Sequence, residues 1–205
     1  MLKKDINKGI LKIIQVSDYE HSDYTALCKF DQQEFLRRNY KRDLHIKQFI
    51  SSRLILKSLI ENHYSCTYYG LPSINGKPLP LNQLNVSLSH SENLVAVAIS
   101  EQPIGIDLQA VLPKIVRVIP RICCEKELEL ATDNIKRTII WSAKEAMYKY
   151  AEKEGLNFKT DLFVDSISIF NNVIQCSGRL IANQSEKHIQ LEGLLLKNYV
   201  LVHTT

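Results

Sequence analysis

The chain has few glycines and prolines, which interrupt helices and strands, and few cysteines, which can cross-link a fold. Its 205 residues include seven glycines and six prolines, which excludes the collagen-like and broadly disordered classes. The cysteines are odd in number and show neither a CxxC motif nor the spacing of a zinc site: Cys28, Cys66, Cys123, Cys124 and Cys176. We therefore expect reduced thiols in a cytoplasmic protein.

Long apolar runs and a strong charge of one sign are also missing. No stretch approaches the roughly 20 apolar residues of a membrane span, and the N-terminus "MLKKDINKGILKIIQ" has no apolar core long enough for a signal peptide. Lys plus Arg total 26 and Asp plus Glu total 22, a net charge of +4. This mild excess suits an anionic ligand or an acidic partner, and it predicts neither a nucleic-acid partner nor a membrane.

The first half of the chain predicts a strand, a short helix, a long helix and a hairpin. The β-branched run 10–16 is typical of a strand, and the short helix begins at a capping Asp31. Apolar residues at helical spacing predict the long helix over 43–63. The stretch 69–83 is rich in turn residues, and two short apolar runs around Ser91-Glu92 predict a β-hairpin.

The second half repeats this order without a residue-level repeat. "PIGIDLQ" predicts a strand, "CCEKELELATD" a short helix, and "IKRTIIWSAKEAMYKYAEKEG" a long helix closed by Gly155. Four alternating segments then predict antiparallel strands: 165–170, 173–180, 188–195 and 199–204.

The repeated order predicts an α+β fold with a pseudo-twofold arrangement of two similar α/β halves. Each half would pack a long helix on a small antiparallel sheet. We expect the N-terminal half to cover residues 1–102 and the C-terminal half 103–205. A ligand cleft between the halves is the default expectation for such an arrangement.

Polar residues at the ends of predicted strands are the first candidates for chemistry. Asp107 follows a buried apolar run, where a carboxylate either caps a turn or binds a hard cation such as Mg²⁺. Gln109 points to the same side of an extended chain and offers a neutral oxygen. Ser89 and His90 lie at a turn, either as ordinary hairpin residues or as donors to a phosphate.

Two further segments contain charged residues, one at a predicted turn and one on a predicted helix. In "INGKPL" the pair Asn75-Gly76 favours a tight turn that displays Lys77, which is either solvated or close to a nucleotide phosphate. In "WSAKEAMYKY" Glu145 and Lys149 stand four residues apart in the order that stabilises a helix. Taken alone, this second segment is more typical of a charged helix face than of an active site.

Four of these segments, in order, resemble the 4′-phosphopantetheinyl transferases of the larger, surfactin-synthetase-activating type. The matching motifs are "GKP" (76–78), "SLSH" (87–90), "GIDLQ" (105–109) and "WSAKEAMYK" (141–149). In addition, "SSRLILKSLI" resembles the arginine-bearing helix of the family's first half. The matches extend over about half the chain, from residue 49 to residue 149.

The resemblance implies an enzyme that transfers 4′-phosphopantetheine from coenzyme A to a serine of an apo acyl or peptidyl carrier protein. It implies Mg²⁺ as cofactor, adenosine 3′,5′-bisphosphate as the second product, and a monomer. By resemblance, Asp107 and Glu145, with Gln109, would hold the metal, and Lys149 would contact the phosphate that is transferred. Glu127 stands where some members carry a proposed general base, and a metal-bound water or Glu145 are the alternatives.

The resemblance assigns coenzyme A contacts to the first half. Arg53 and Lys47 would meet the 3′-phosphate, Ser89 and His90 the other phosphates, and the loop Gly76, Lys77 and Pro78 the adenine. Gln109 departs from the family pattern, because many members carry a second carboxylate there. This departure is the motive for the alternative, a non-catalytic coenzyme A or carrier-binding member. An unrelated RNA-binding protein is disfavoured because the chain lacks an aromatic and basic stripe.

Overall fold

Two units make up the chain and divide between Pro103 and Ile104, one residue beyond the boundary expected from the sequence. A computed structural model describes residues 2–6, 8–74, 76–151 and 153–205. Both units combine helices with antiparallel sheet, so the predicted α+β fold with two similar halves is confirmed. No helix in the described residues is both long enough and apolar enough to cross a membrane.

The first unit packs a long helix on a four-stranded antiparallel sheet of order β1-β2-β6-β5. Its elements are β1 (Leu2–Ile6), β2 (Gly9–Gln15), α1 (Lys29–Arg38), α2 (Asp43–His63), β3 (Ser73–Ile74), β4 (Lys77–Pro78), β5 (Asn85–Ser91) and β6 (Leu94–Ser100). Alternate residues of β6, among them Val97 and Ile99, point to α2 and pack with its Leu56 and Leu59. The long helix lies over the predicted residues 43–63, and the predicted hairpin is β5–β6.

One prediction for this unit was wrong. Asp31 does not cap α1, because the helix begins at Lys29 after the N-cap residue Cys28. Asp31 lies in the first turn of the helix and is fully buried. In the predicted tight turn, Asn75 lies outside the described residues, and Gly76 has the positive φ of +81° that glycine favours.

The second unit packs one helix on a five-stranded antiparallel sheet of order β7-β11-β10-β9-β8. Its elements are β7 (Ile106–Ala110), α3 (Ile119–Ile122), α4 (Glu125–Leu130), α5 (Asn134–Tyr150), β8 (Leu162–Phe170), β9 (Val173–Ala182), β10 (Ser185–Leu196) and β11 (Tyr199–Thr204). Asp133 caps α5 by accepting a hydrogen bond from Lys136 N (2.9 Å). The apolar side of α5, which includes Ile139, Ala143 and Met147, covers the sheet.

The expected end of this helix was also wrong. The helix ends at Tyr150 with Ala151 as C-cap, and Gly155 (φ +77°) belongs to the turn that follows. The four antiparallel strands predicted after it are confirmed as β8 to β11.

Candidate active site

An ion pair joins the first strand of the second unit to its helix. Asp107 on β7 is 2% exposed, and its Oδ1 accepts a hydrogen bond from Lys149 Nζ of α5 at 2.9 Å. Lys149 Nζ also donates to the carbonyl oxygen of Ile106 at 2.8 Å. The predicted metal ligand and the predicted phosphate contact are therefore in direct contact, although 42 residues separate them in sequence.

Gly105 permits this contact because it lets the backbone of β7 approach α5. A Cβ atom at position 105 would lie 1.9 Å from the carbonyl oxygen of Ala146 and 2.7 Å from Tyr150 N. No side chain fits at such distances, so any other residue would push the strand and the helix apart. The glycine of "GIDLQ" thus sets the spacing that brings Asp107 to Lys149.

Glu145 lies on the same face of α5 as Lys149, because residues four apart on a helix are neighbours. Burial raises the pKa of its carboxyl group, the negative charge of Asp107 raises that pKa further, and Lys149 lowers it. Two carboxylates and one ammonium group are therefore close enough to interact. A second cation at this place would relieve the repulsion between Asp107 and Glu145.

This pKa shift predicts how the stability of the metal-free protein depends on pH. An acid with a raised folded-state pKa stabilises the fold most when it is protonated, below its ordinary pKa of about 4.5. That stability is lost as the pH rises through the folded-state pKa. We expect Glu145→Gln to raise the melting temperature at pH 7, and the difference from wild type to vanish at about pH 4.

Thermal unfolding of both proteins between pH 4 and pH 8, with a chelator present, measures this difference. Glu129→Gln, which changes an exposed carboxylate on α4, is the matched control and should show no pH-dependent gain. A Glu145→Gln variant that is less stable than wild type at pH 7 would contradict the raised pKa.

Gln109 extends the same strand face beyond Asp107. It is partly exposed and lies two residues along β7, where side chains return to the same side of a strand. It can therefore offer an amide oxygen next to the carboxylate. No set of three or more His, Cys, Asp and Glu side chains gathers as a metal site in the part of the chain that the structure describes.

Glu127 and Lys144 form a second ion pair, which is entirely buried. They are 1% and 0% exposed, and Lys144 Nζ lies 2.7 Å from Glu127 Oε1. Lys144 Nζ also donates to three carbonyl oxygens, those of Ile122 (2.8 Å), Phe158 (2.7 Å) and Leu162 (2.6 Å). The Glu127 carboxylate accepts from two backbone amides, Val164 N (2.8 Å) and Cys124 N (2.9 Å).

In the first unit, the predicted phosphate contact Arg53 is buried within its own fold. Its guanidinium lies over the Phe49 ring at 4.6 Å, and its Nε is 3.5 Å from Asp31 Oδ1. Asp31 also accepts from Tyr68 O–H (2.8 Å) and Leu71 N (3.2 Å). Arg53 is therefore part of a buried network that ties α1, α2 and the segment after α2 together.

Lys47 is better placed for an external anion. It lies near the start of α2, 18% exposed, and pairs with Glu20 (2.9 Å) and more loosely with Asp43 (3.7 Å). The hydrogen bond with Glu20, above all, raises the pKa of its ammonium group. Lys47 thus stays charged, and an incoming phosphate would compete with Glu20 for it.

The remaining candidates of this unit do not all share one face. Ser89 is buried and His90 is exposed, because successive residues of β5 point to opposite sides of the sheet. The structure therefore does not bring the two together as adjacent phosphate donors. Lys77 and Pro78 form β4, which pairs with β3 beside Gly76 in a small two-stranded hairpin.

Comparison with known proteins decides the family. The family model for the 4′-phosphopantetheinyl transferase superfamily matches residues 103–202, and 4′-phosphopantetheinyl transferase Sfp of Bacillus subtilis (strain 168) is 28% identical over 171 residues. That match covers 76% of this chain and 73% of the relative. The chain belongs to the 4′-phosphopantetheinyl transferase superfamily.

The predicted class of enzyme, a phosphopantetheinyl transferase, is thereby confirmed. The family model coincides with the second unit, which contains Asp107, Glu145 and Lys149. The match to the B. subtilis transferase is longer than the second unit, so it includes residues of the first unit as well. This extent agrees with the larger, two-half type of phosphopantetheinyl transferase.

Within this transferase, the buried pair changes the interpretation of Glu127. Both carboxylate oxygens are occupied by Lys144 and by backbone amides, and burial leaves no surface to which a substrate hydroxyl could come. The predicted role as general base does not fit this geometry. Lys144, which had no physical role in the sequence interpretation, is the partner that satisfies Glu127.

The sequence interpretation missed the structural roles of three buried residues. Gly105 was quoted only as part of a motif, Lys144 only as a nearby charge, and Asp31 only as a helix cap. The burial of Lys144 could have been predicted, because this lysine lies on the apolar side of an amphipathic helix. Its neighbours there are Ser142, Ala143, Ala146 and Met147. A lysine in that position needs a buried partner. Sequence gives no comparable sign of which backbone Gly105 approaches.

Proposed function

We propose that this transferase moves the 4′-phosphopantetheine group of coenzyme A to a serine hydroxyl of an apo acyl or peptidyl carrier protein. The bond between the β-phosphorus and the oxygen that leads to the α-phosphate breaks, and the serine Oγ forms the new bond to phosphorus. Adenosine 3′,5′-bisphosphate leaves, and the serine proton passes to a base. The observation that carries the proposal is the cluster of Asp107, Glu145 and Lys149 in a chain of this family.

The donor set of this cluster fits a magnesium ion. Mg²⁺ prefers oxygen ligands and is usually held by one or two carboxylates together with substrate phosphates. Asp107 and Glu145 would supply the carboxylates, and Gln109 a neutral oxygen. When bound, Mg²⁺ would neutralise the diphosphate and the charge that develops on the leaving oxygen.

The chain's own residues would do the rest of the chemistry. Lys149, 27% exposed and held by Asp107 and the Ile106 carbonyl, can present its ammonium group to the phosphoryl oxygens. Glu145 lies on the same face of α5 as Lys149, and it replaces Glu127 as the carboxylate that we propose for the base.

Coenzyme A carries several negative charges, and we propose that the first unit supplies further contacts to it. Lys47 and Lys77 would provide positive charge, the exposed His90 would provide a hydrogen-bond donor from β5, and the hairpin from Gly76 to Pro78 would border the adenine. Arg53 would act indirectly, by fixing α2 against α1. We further propose that the enzyme is a cytoplasmic monomer, and the net charge of +4 suits an acidic carrier protein.

The direct test is a carrier-loading assay followed by intact-protein mass spectrometry. Purified protein, Mg²⁺ and coenzyme A are incubated with a panel of apo carriers from fatty-acid, polyketide and peptide synthases. We expect at least one carrier to gain the mass of one phosphopantetheine, and no gain when EDTA is present or when the carrier serine is replaced by alanine. If calorimetry showed coenzyme A binding while no carrier was modified, the non-catalytic alternative would replace this proposal.

A further inference from the structure

One hydroxyl on α5 is buried and has no hydrogen-bond partner in the described part of the chain. Ser142 is 0% exposed, and its Oγ neither donates to nor accepts from any described atom. A helical serine commonly donates to the carbonyl four residues earlier. Thr138, one turn before, does so and donates to Asn134 O at 2.7 Å. An unpaired buried hydroxyl disfavours the folded state, so its presence needs an explanation.

The position of Ser142 on α5 explains why an unpaired hydroxyl is present there. Ser142, Glu145 and Lys149 follow each other at spacings of three and four residues and therefore share one face of α5. Lys149 donates to Asp107, whereas Glu145 makes no hydrogen bond or ion pair that involves the described residues. A hydroxyl that can donate thus lies one helical turn from a carboxylate that can accept.

Packing alone gives no reason for a serine at this position. Alanine would fill nearly the same space, forms helices more readily, and would leave no polar group unpaired. Residues 143 and 146, which both lie beside this stripe on the side that packs on the sheet, are alanines with 0% exposure. The neighbouring positions therefore show what packing against the sheet requires, and Ser142 has a hydroxyl in addition.

We propose that Ser142 is a positioning residue, whose Oγ donates a hydrogen bond to the Glu145 carboxylate when that carboxylate turns to bind a divalent cation. The inference rests on the proposed function, because it takes Glu145 as a ligand of Mg²⁺. A hydrogen bond of this kind fixes the orientation of a ligating carboxylate, and loss of such a bond typically weakens metal affinity by about 10–100-fold. In the metal-free protein the hydroxyl stays unpaired.

The test compares Ser142→Ala with wild type in two measurements. Calorimetric titration with Mg²⁺, at saturating coenzyme A, should show affinity weakened by about 10–100-fold. Thermal unfolding without metal should show a melting temperature equal to or above that of wild type, because the variant removes an unpaired buried hydroxyl. A residue with only a structural role would lower the melting temperature instead.

Thr138→Val is the matched control, since it removes a hydroxyl that is buried on the same face and already paired. It should leave the Mg²⁺ affinity unchanged. The inference is overturned if Ser142→Ala binds Mg²⁺ within twofold of wild type, or if Thr138→Val weakens binding equally. If wild type itself binds no Mg²⁺ in the presence of coenzyme A, the metal part of the proposed function fails as well.

Discussion

Glu145→Gln should lower the turnover number of carrier loading by roughly a thousandfold, and Asp107→Asn should do the same. Both substitutions keep the size of the side chain and remove one negative charge from the pair that would hold Mg²⁺. Stabilisation of the developing charge is the main contribution to catalysis of phosphoryl transfer. The rate of the chemical step should therefore fall far more than the affinity for either substrate. The measurement is the rate of carrier modification at saturating coenzyme A and carrier.

The stability of the two variants separates this effect from unfolding. Glu145→Gln should be at least as stable as wild type at pH 7, because the carboxylate that it replaces is destabilised by burial and by Asp107. Asp107→Asn removes the partner of Lys149, so a moderate loss of stability is expected there. Glu129→Gln, at an exposed position on α4, should keep wild-type activity. If Glu145→Gln retained more than about a tenth of wild-type turnover, the metal-ligand role of Glu145 would be wrong.

Much of the fold was predictable because its patterns are local. The 3.6-residue period of α2 placed that helix over residues 43–63, and alternation placed all four strands of the second sheet after α5. The errors came where local signals compete with tertiary contacts. Asp31 has the chemistry of a helix cap, yet the hydrogen bonds from Tyr68 and Leu71 keep it inside the fold.

The candidate site was predictable only in part for a similar reason. Asp107, Glu145 and Lys149 carry charge in motifs that can be recognised along the chain, and the structure brings them together in the second unit. Burial cannot be deduced from those motifs. Glu127 and Lys144 look like two more charged site residues in sequence, whereas in space they neutralise each other inside the core.

Lys144→Met should destabilise the fold by about 3–5 kcal/mol, the usual cost of leaving one partner of a buried ion pair alone. The substitution would also deprive three carbonyl oxygens of their donor, which puts the expected effect at the upper end. Glu127→Gln should destabilise by a similar amount, about 3–5 kcal/mol, because Lys144 loses its counter-charge and the new amide nitrogen faces a backbone N–H that had donated to the carboxylate. Urea unfolding monitored by circular dichroism measures both values.

The exposed neighbours on α4 provide controls of the same chemistry. Glu125→Gln and Lys126→Met should change the free energy of unfolding by less than about 0.5 kcal/mol. A double variant, Lys144→Met with Glu127→Leu, should be more stable than Lys144→Met alone, since it removes the uncompensated charge together with its partner. Equal stability of the double and single variants would argue against the pair as the origin of the effect.

Activity measured on Glu127→Gln decides between the structural role and the base that the resemblance implied. A general base typically contributes 10²–10⁴-fold, so its removal would lower turnover by that factor in fully folded protein. For Glu127→Gln we expect the free energy of unfolding to fall. Its turnover per folded molecule should stay within about threefold of wild type. This expectation follows from the four contacts that hold the carboxylate and from its 1% exposure, which keep it from any substrate proton. A hundredfold loss of turnover in folded Glu127→Gln would restore the catalytic role and would require the carboxylate to leave Lys144 during the reaction.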